Sequence, residues 1–175
     1  MEKVIKQFYQ AECTLFRNVN NFYEHRFLNS YFKVITHVGG ATFTIASLIV
    51  LMSFSSQPIR IVAAQSLIAL ILSHIPVAIA KKIFPRKRPY ITLDKIYVTE
   101  SPLKDHSFPS GHTTAIFSAM TPFIISYPLS IIFFLPLGIS VGISRIYLGL
   151  HYPSDVLVGM ILGITSGALI STLLF

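Results

Sequence analysis

Charge and cysteine are what this sequence has least of. Only 12% of its 175 residues are charged, against roughly 25% in an ordinary soluble domain. One cysteine, Cys13, excludes a disulfide scaffold. A hydrophobic share of 53% excludes intrinsic disorder, which needs low apolar content and high charge. Internal repeats, low-complexity tracts and linkers are also missing. The length suits one domain, residues 1–175. Its composition fits an integral membrane protein, and residue order supplies the detail.

Four stretches carry no Asp, Glu, Lys or Arg: 38–59, 61–80, 107–144 and 156–175. A spanning helix needs about 20 mostly apolar residues. The third stretch is long enough for two spans, with Tyr127, Pro128 and Ser130 as turn chemistry between them. The expected fold is therefore an all-α, integral-membrane helical bundle of about five spans, near 33–54, 60–82, 111–127, 129–148 and 153–174. Pro122 and Pro136 fall inside the third and fourth and are expected to kink them.

Residues 1–24 follow another pattern. Val4, Phe8, Ala11, Leu15, Val19 and Phe22 recur at three- and four-residue steps, with Lys3, Lys6, Gln7, Gln10, Arg17 and Asn21 largely off that line. This predicts an amphipathic helix, lying in the membrane interface or packing on the bundle. Its apolar residues alternate with charges, unlike a secretory signal.

Five spans put the N-terminus, the loop 81–108 and the turn 145–152 on one side. That side holds 13 Lys and Arg, and the other holds only Arg60. The positive-inside rule makes the first side cytoplasmic.

Polar residues cluster on that same side. Lys81, Arg88 and Pro89 stand where the second span ends. Pro109, Ser110, Gly111 and His112 open the third span. Ser144 and Arg145 close the fourth, and His151 and Asp155 open the fifth. These types suit the holding and cleavage of a phosphate ester, whose catalysis is mostly positioning and electrostatics. Lys81, Arg88 and Arg145 supply positive charge. Ser110 is a natural N-cap, and Gly111 lets backbone approach a ligand at a helix N-terminus. His151 and Asp155, four apart, form a pair in which the carboxylate fixes the imidazole tautomer and frees the other nitrogen as nucleophile. His112 is then available as general acid. Lys82, Arg86 and Lys87 read as interfacial anchors. His74 reads as a packed histidine, His37 as interfacial, and Glu100, Asp105 and His106 as ordinary loop residues.

The three clusters resemble the tripartite signature of the type 2 phosphatidic acid phosphatase (PAP2) superfamily, which reads K-x6-RP, PSGH and SR-x5-H-x3-D. Lys81 to Arg88-Pro89, Pro109-Ser110-Gly111-His112, and Ser144-Arg145 through His151 to Asp155 match with no departure. The resemblance implies a helical bundle around a phosphate pocket. It implies phosphate binding by Lys81, Arg88, Ser110, Gly111 and Arg145, with His151 as nucleophile, Asp155 as its partner and His112 as acid. No metal or other cofactor would be required. The implied partners are the lipid bilayer and a membrane lipid phosphate, with undecaprenyl pyrophosphate ahead of phosphatidylglycerophosphate and phosphatidic acid, and no nucleic acid. Bacterial relatives present this site on the outer face of the cell membrane, opposite to the charge count.

Two other functions fit the same residues. A phosphotransferase would pass the phosphate from His151 to a second lipid. A non-enzymatic protein would bind anionic lipid through the basic loop, which leaves His112, His151 and Asp155 unexplained.

Overall fold

Pro153 and the residues after it start one long helix, and a short buried helix beside it organises everything else. The computed structural model describes residues 2–100, 102 and 104–174. The helices are α1 (Glu2–Asn20), α2 (Arg26–Ile35), α3 (Ala41–Phe54), α4 (Gln57–Ile83), α5 (Pro89–Thr92), α6 (Gly111–Ser126), α7 (Ile131–Tyr147) and α8 (Pro153–Leu173). α6 is the hub, buried continuously from Thr113 to Pro122 and packed against α4, α7 and α8. Leu48, Ala63, Leu70, Ala115 and Ala119 join α3 and α4 to one side of it. Ile116, Phe117, Met120 and Val141 join α7 to the other.

The α6–α8 contact is backbone against backbone. A Cβ at Gly163 would lie 2.6 Å from the Thr114 carbonyl oxygen, and one at Gly159 would lie 2.6 Å from that of Ser110. Small residues permit this approach where no aqueous hydrophobic effect drives helices together. The glycine face of α8 is thus spent inside the bundle. Outward faces remain apolar, with Ile71, Ile75 and Ile79 of α4 and Leu157, Ile161 and Ile164 of α8 exposed.

The membrane bundle is as expected, with two differences in its spans. By length and composition α4, residues 128–147 and α8 can each cross a membrane. The first expected span, 33–54, is not one straight helix. α2 with its 3-10 turn meets α3 at 59°, and the pair counts as a fourth span only as a bent unit. The bend lies at Gly40, whose backbone is extended (φ −74°, ψ 147°). A Cβ on the preceding Gly39 would lie 2.9 Å from the His112 carbonyl oxygen, so α6 crowds the chain there. The third expected span, α6, has 16 residues, about 24 Å of helix, less than the ~30 Å hydrocarbon layer. Protein surrounds it, which relaxes that requirement. α6 and α7 continue through Pro122 and Pro136, and the 3-10 turn at Pro128–Ser130 separates them as the turn residues predict.

α1 settles on the bundle by a line that its apolar pattern does not mark. Glu12, Phe16 and Asn20 are its buried residues. Val4, Phe8 and Leu15 stay exposed, and Phe8 and Leu15 border a groove against Pro153 and Leu157 of α8. Asn20 Nδ2 donates to the Tyr97 and Tyr147 carbonyls at 2.9 Å each, and its Oδ1 accepts from Tyr97 N at 2.8 Å.

Candidate active site

Arg145 sits in the last turn of α7, and the chain must reverse to bring His151 back beside it. Gly149 makes the reversal at φ +76°, a conformation that suits glycine. The Arg145 carbonyl then accepts from both Leu150 N and His151 N, at 3.1 Å each. The five-residue gap between Arg145 and His151 is therefore the length of one tight turn. Pro153 starts α8, and Asp155 caps it by accepting from Tyr152 N at 2.8 Å. Ser110 caps α6, accepting from Thr113 N at 3.5 Å, and its own N–H donates to the Asp155 carbonyl at 3.0 Å. The second and third clusters are thus tied start to start.

His151 is buried between opposite charges. Arg88 Nη1 lies 3.1 Å from its Nε2, and Asp155 Oδ2 lies 3.7 Å from its Nδ1. Arginine only donates, so Nε2 carries the lone pair and the ring proton is on Nδ1, facing the carboxylate. Burial lowers the His151 pKa to about 4; Asp155 opposes this, while Arg145 and Arg88 add to it. The ring is neutral at physiological pH.

Arg88 is fully buried and also donates to the Leu150 carbonyl at 2.7 Å. Arg145 donates from Nη1 to Thr36 Oγ1 at 2.6 Å, while its Nε is buried with no hydrogen-bond partner among the described residues. His112 and Arg145 share a cavity of about 390 Å³ with Lys33, Thr36, His37 and Glu100. Gly111 opens α6 beside His112, and a Cβ there would meet nothing within 4 Å. All eight predicted site residues lie at this end of the bundle. Lys81 joins through a bridge: its Nζ is 2.6 Å from Asp105 Oδ2, while Arg88 Nη2 is 2.6 Å from Oδ1.

Several residues differ from their sequence reading. Asp105 is no ordinary loop residue, because it holds two of the three expected phosphate cations. Burial works against its charge, yet the bonds from Lys81 and Arg88 outweigh it and keep the pKa at about 2. Arg86 is not an interfacial anchor. It bonds Asp155 Oδ1 at 2.9 Å, and its guanidinium lies 3.9 Å from the Tyr152 ring centre. His37, read as interfacial, lines the cavity. His74 is packed as expected, its Nδ1 2.9 Å from the Leu70 carbonyl. For Asp105, an acid five residues before Ser110 was the available signal. For Arg86, it was the second arginine of Arg86-Lys87-Arg88.

Residues 62–175 match the profile of the PAP2 superfamily. The chain belongs to this superfamily. Among solved PAP2-like structures, Aquifex aeolicus LpxE superposes with a TM-score of 0.79 at 30% identity, over 91% of this chain and 94% of that one. A transmembrane PAP2 type phosphatidylglycerolphosphate phosphatase from Bacillus subtilis shares the fold with a TM-score of 0.79 at 23% identity, over 95% of this chain and 86% of that one. An undecaprenyl-diphosphatase of Sulfolobus acidocaldarius is 27% identical over 109 residues, 59% of this chain and 51% of that protein. The PAP2 chain described here spans about half the length of the curated relatives it matches.

Proposed function

We propose that this PAP2 chain is a metal-independent membrane phosphatase that hydrolyses a lipid diphosphate, undecaprenyl diphosphate first among the candidates, through a phosphohistidine. The observation that carries the reading is the buried His151, neutral, with its Nε2 lone pair turned toward Arg88 and its Nδ1–H toward Asp155. In the reaction Nε2 attacks phosphorus, and the bond from phosphorus to the lipid-side oxygen breaks. His112 gives its proton to that oxygen. Water then attacks the phosphohistidine, returns a proton to His112 and frees inorganic phosphate. Arg88, Arg145, Lys81 and the free N–H groups at the start of α6 hold the phosphoryl oxygens. The unpaired Nε–H of Arg145 is a donor in want of such an oxygen.

Two observations favour a diphosphate. Lys33 stands on the cavity wall with His37 and His112, offering positive charge where a leaving phosphate would sit, with Glu100 on the same wall to offset it. The likeness to an undecaprenyl-diphosphatase agrees with this. We place the active site on the outer face of the cell membrane, the face that the resemblance to bacterial PAP2 relatives implies.

The test is phosphate release by the purified protein in detergent with EDTA, from undecaprenyl diphosphate, phosphatidylglycerophosphate and phosphatidic acid. The expected result is release that survives EDTA and falls more than about a thousandfold in His151→Ala. Lys33→Ala should lower kcat/KM for the diphosphate more than for the monoesters. Full activity in His151→Ala refutes the mechanism, and equal losses on all three lipids refute the diphosphate preference.

A further inference from the structure

The Asp155 carboxylate is fully buried and has a donor on each oxygen. Tyr152 N serves Oδ2, the oxygen that faces His151, and Arg86 Nη1 serves Oδ1. The Tyr152 bond belongs to the helix cap. Arg86 comes from the stretch between α4 and α5, and its guanidinium needs a reason to stay in place. Glu12 of α1 supplies one. Its Oε1 takes Arg86 Nη2, and its Oε2 takes Ser154 N at 3.0 Å and the Ser154 hydroxyl. That hydroxyl also accepts from Arg86 Nη1 at 2.8 Å. Glu12 itself is buried, on a helix whose apolar residues Val4, Phe8 and Leu15 are exposed. A buried carboxylate in this position costs free energy unless it is paired. The expense is unexplained by α1 docking alone, since Phe16 and Asn20 already seat that helix.

We propose that Glu12 and Arg86 are positioning residues of the reaction: Glu12 fixes Arg86, and Arg86 fixes the plane of the Asp155 carboxylate that orients His151. The proposal rests on the phosphatase reading above. It places part of the active site's support on the N-terminal amphipathic helix, outside the three signature clusters. Losing Arg86 would leave Oδ1 buried and unpaired, so the carboxylate would turn and the imidazole with it. Losing Glu12 would leave Arg86 bonded to Asp155 and Ser154 through Nη1 alone, with Nη2 no longer fixing the guanidinium plane.

Full-chain Glu12→Gln, Arg86→Lys and Arg86→Met are compared with wild type on one lipid diphosphate in detergent, with thermal unfolding measured in parallel. Misplacing a reacting group by about 1 Å costs on the order of 100-fold. Arg86→Met should lose about that much in kcat with KM within about twofold, Glu12→Gln less, and Arg86→Lys should recover part of the loss. The pH profile separates positioning from stability. The charged and titratable groups facing His151 are Arg88, Arg145, Asp155 and His112. Without Arg86, the Asp155 charge stabilises the imidazolium more strongly, so the acid limb of kcat/KM moves to higher pH. Glu12→Gln keeps Arg86 on Asp155 and leaves the limb where it is. Wild-type kcat in both Glu12→Gln and Arg86→Met overturns the proposal. So does a loss that tracks lowered thermal stability with the acid limb of Arg86→Met unmoved. A wild type that releases no phosphate overturns the phosphatase reading and this proposal with it, which distinguishes the two failures.

Discussion

Asp105 occupies two of the cations proposed to hold phosphate. Its carboxylate bridges Lys81 and Arg88 at 2.6 Å each, so under the proposed function an incoming phosphoryl group displaces it. Its pKa is depressed to about 2. The stability this pairing contributes is therefore present above the ordinary carboxylate range and is lost only as pH falls through about 2. Across physiological pH the competition is constant. Asp105→Asn should strengthen inhibition by inorganic phosphate about three- to tenfold, discounted because the side chain is half exposed. The ratio of wild-type to variant inhibition constants should hold from pH 5 to 8; a ratio that collapses toward pH 5 would mean that Asp105 titrates there. That the eight motif residues gather at one end of the bundle was legible in the sequence, because each stands at or near the end of an expected span. The sequence did not reveal Asp105, Arg86 or Glu12, because an acid or arginine that partners another side chain looks in sequence like any solvated charge.

At the scale of helices, glycines that look alike in sequence do different work. Gly163 touches α6 backbone, with a Cβ at 2.6 Å from Thr114 O and 2.7 Å from Phe117 Cβ, while Gly111 faces open space. Gly163→Ala should force α6 and α8 apart at a cost of about 1–3 kcal/mol, seen as a lower unfolding temperature in detergent. Gly111→Ala should leave that temperature within a degree or two and instead raise KM, because its methyl enters the space proposed for phosphate. An unfolding temperature unchanged in Gly163→Ala would contradict the packing described. Three of the five expected spans were legible from uncharged length: they match helices long and apolar enough to cross a membrane, residues 57–83, 128–147 and 153–173, to within about four residues. The bend at Gly40 was not, since two glycines ahead of an apolar run read as the approach to a straight span. At Gly39 the chain passes close to Val141 of α7 and His112 of α6, contacts remote in sequence.

For the molecule as a whole, sidedness has a direct measurement. All site residues share one end of the bundle, and with an outward-facing site the Leu173 end of α8 is cytoplasmic. A fluorescent reporter fused there should light up, and a periplasm-dependent reporter should stay silent; the reverse pattern assigns the site to the inside. The charge count argues for the inside, but part of it is absorbed by structure. Arg86 is held by Glu12 and Asp155, and Arg17 donates to the Asp94 carbonyl at 3.0 Å. Cations tied up in this way report on internal bonding rather than on membrane potential.

The exposed apolar residues of α1 have a kinetic corollary. Val4, Phe8 and Leu15 are exposed on the same helix that carries Glu12, beside a groove against α8. Whatever covers them, micelle or bilayer, bears on a helix bonded within two contacts of Asp155. Surface dilution alone changes how often enzyme and lipid meet. Here the amphiphile also becomes a structural ligand, so turnover in short-chain micelles and in vesicles should differ at saturating substrate, where encounter no longer matters.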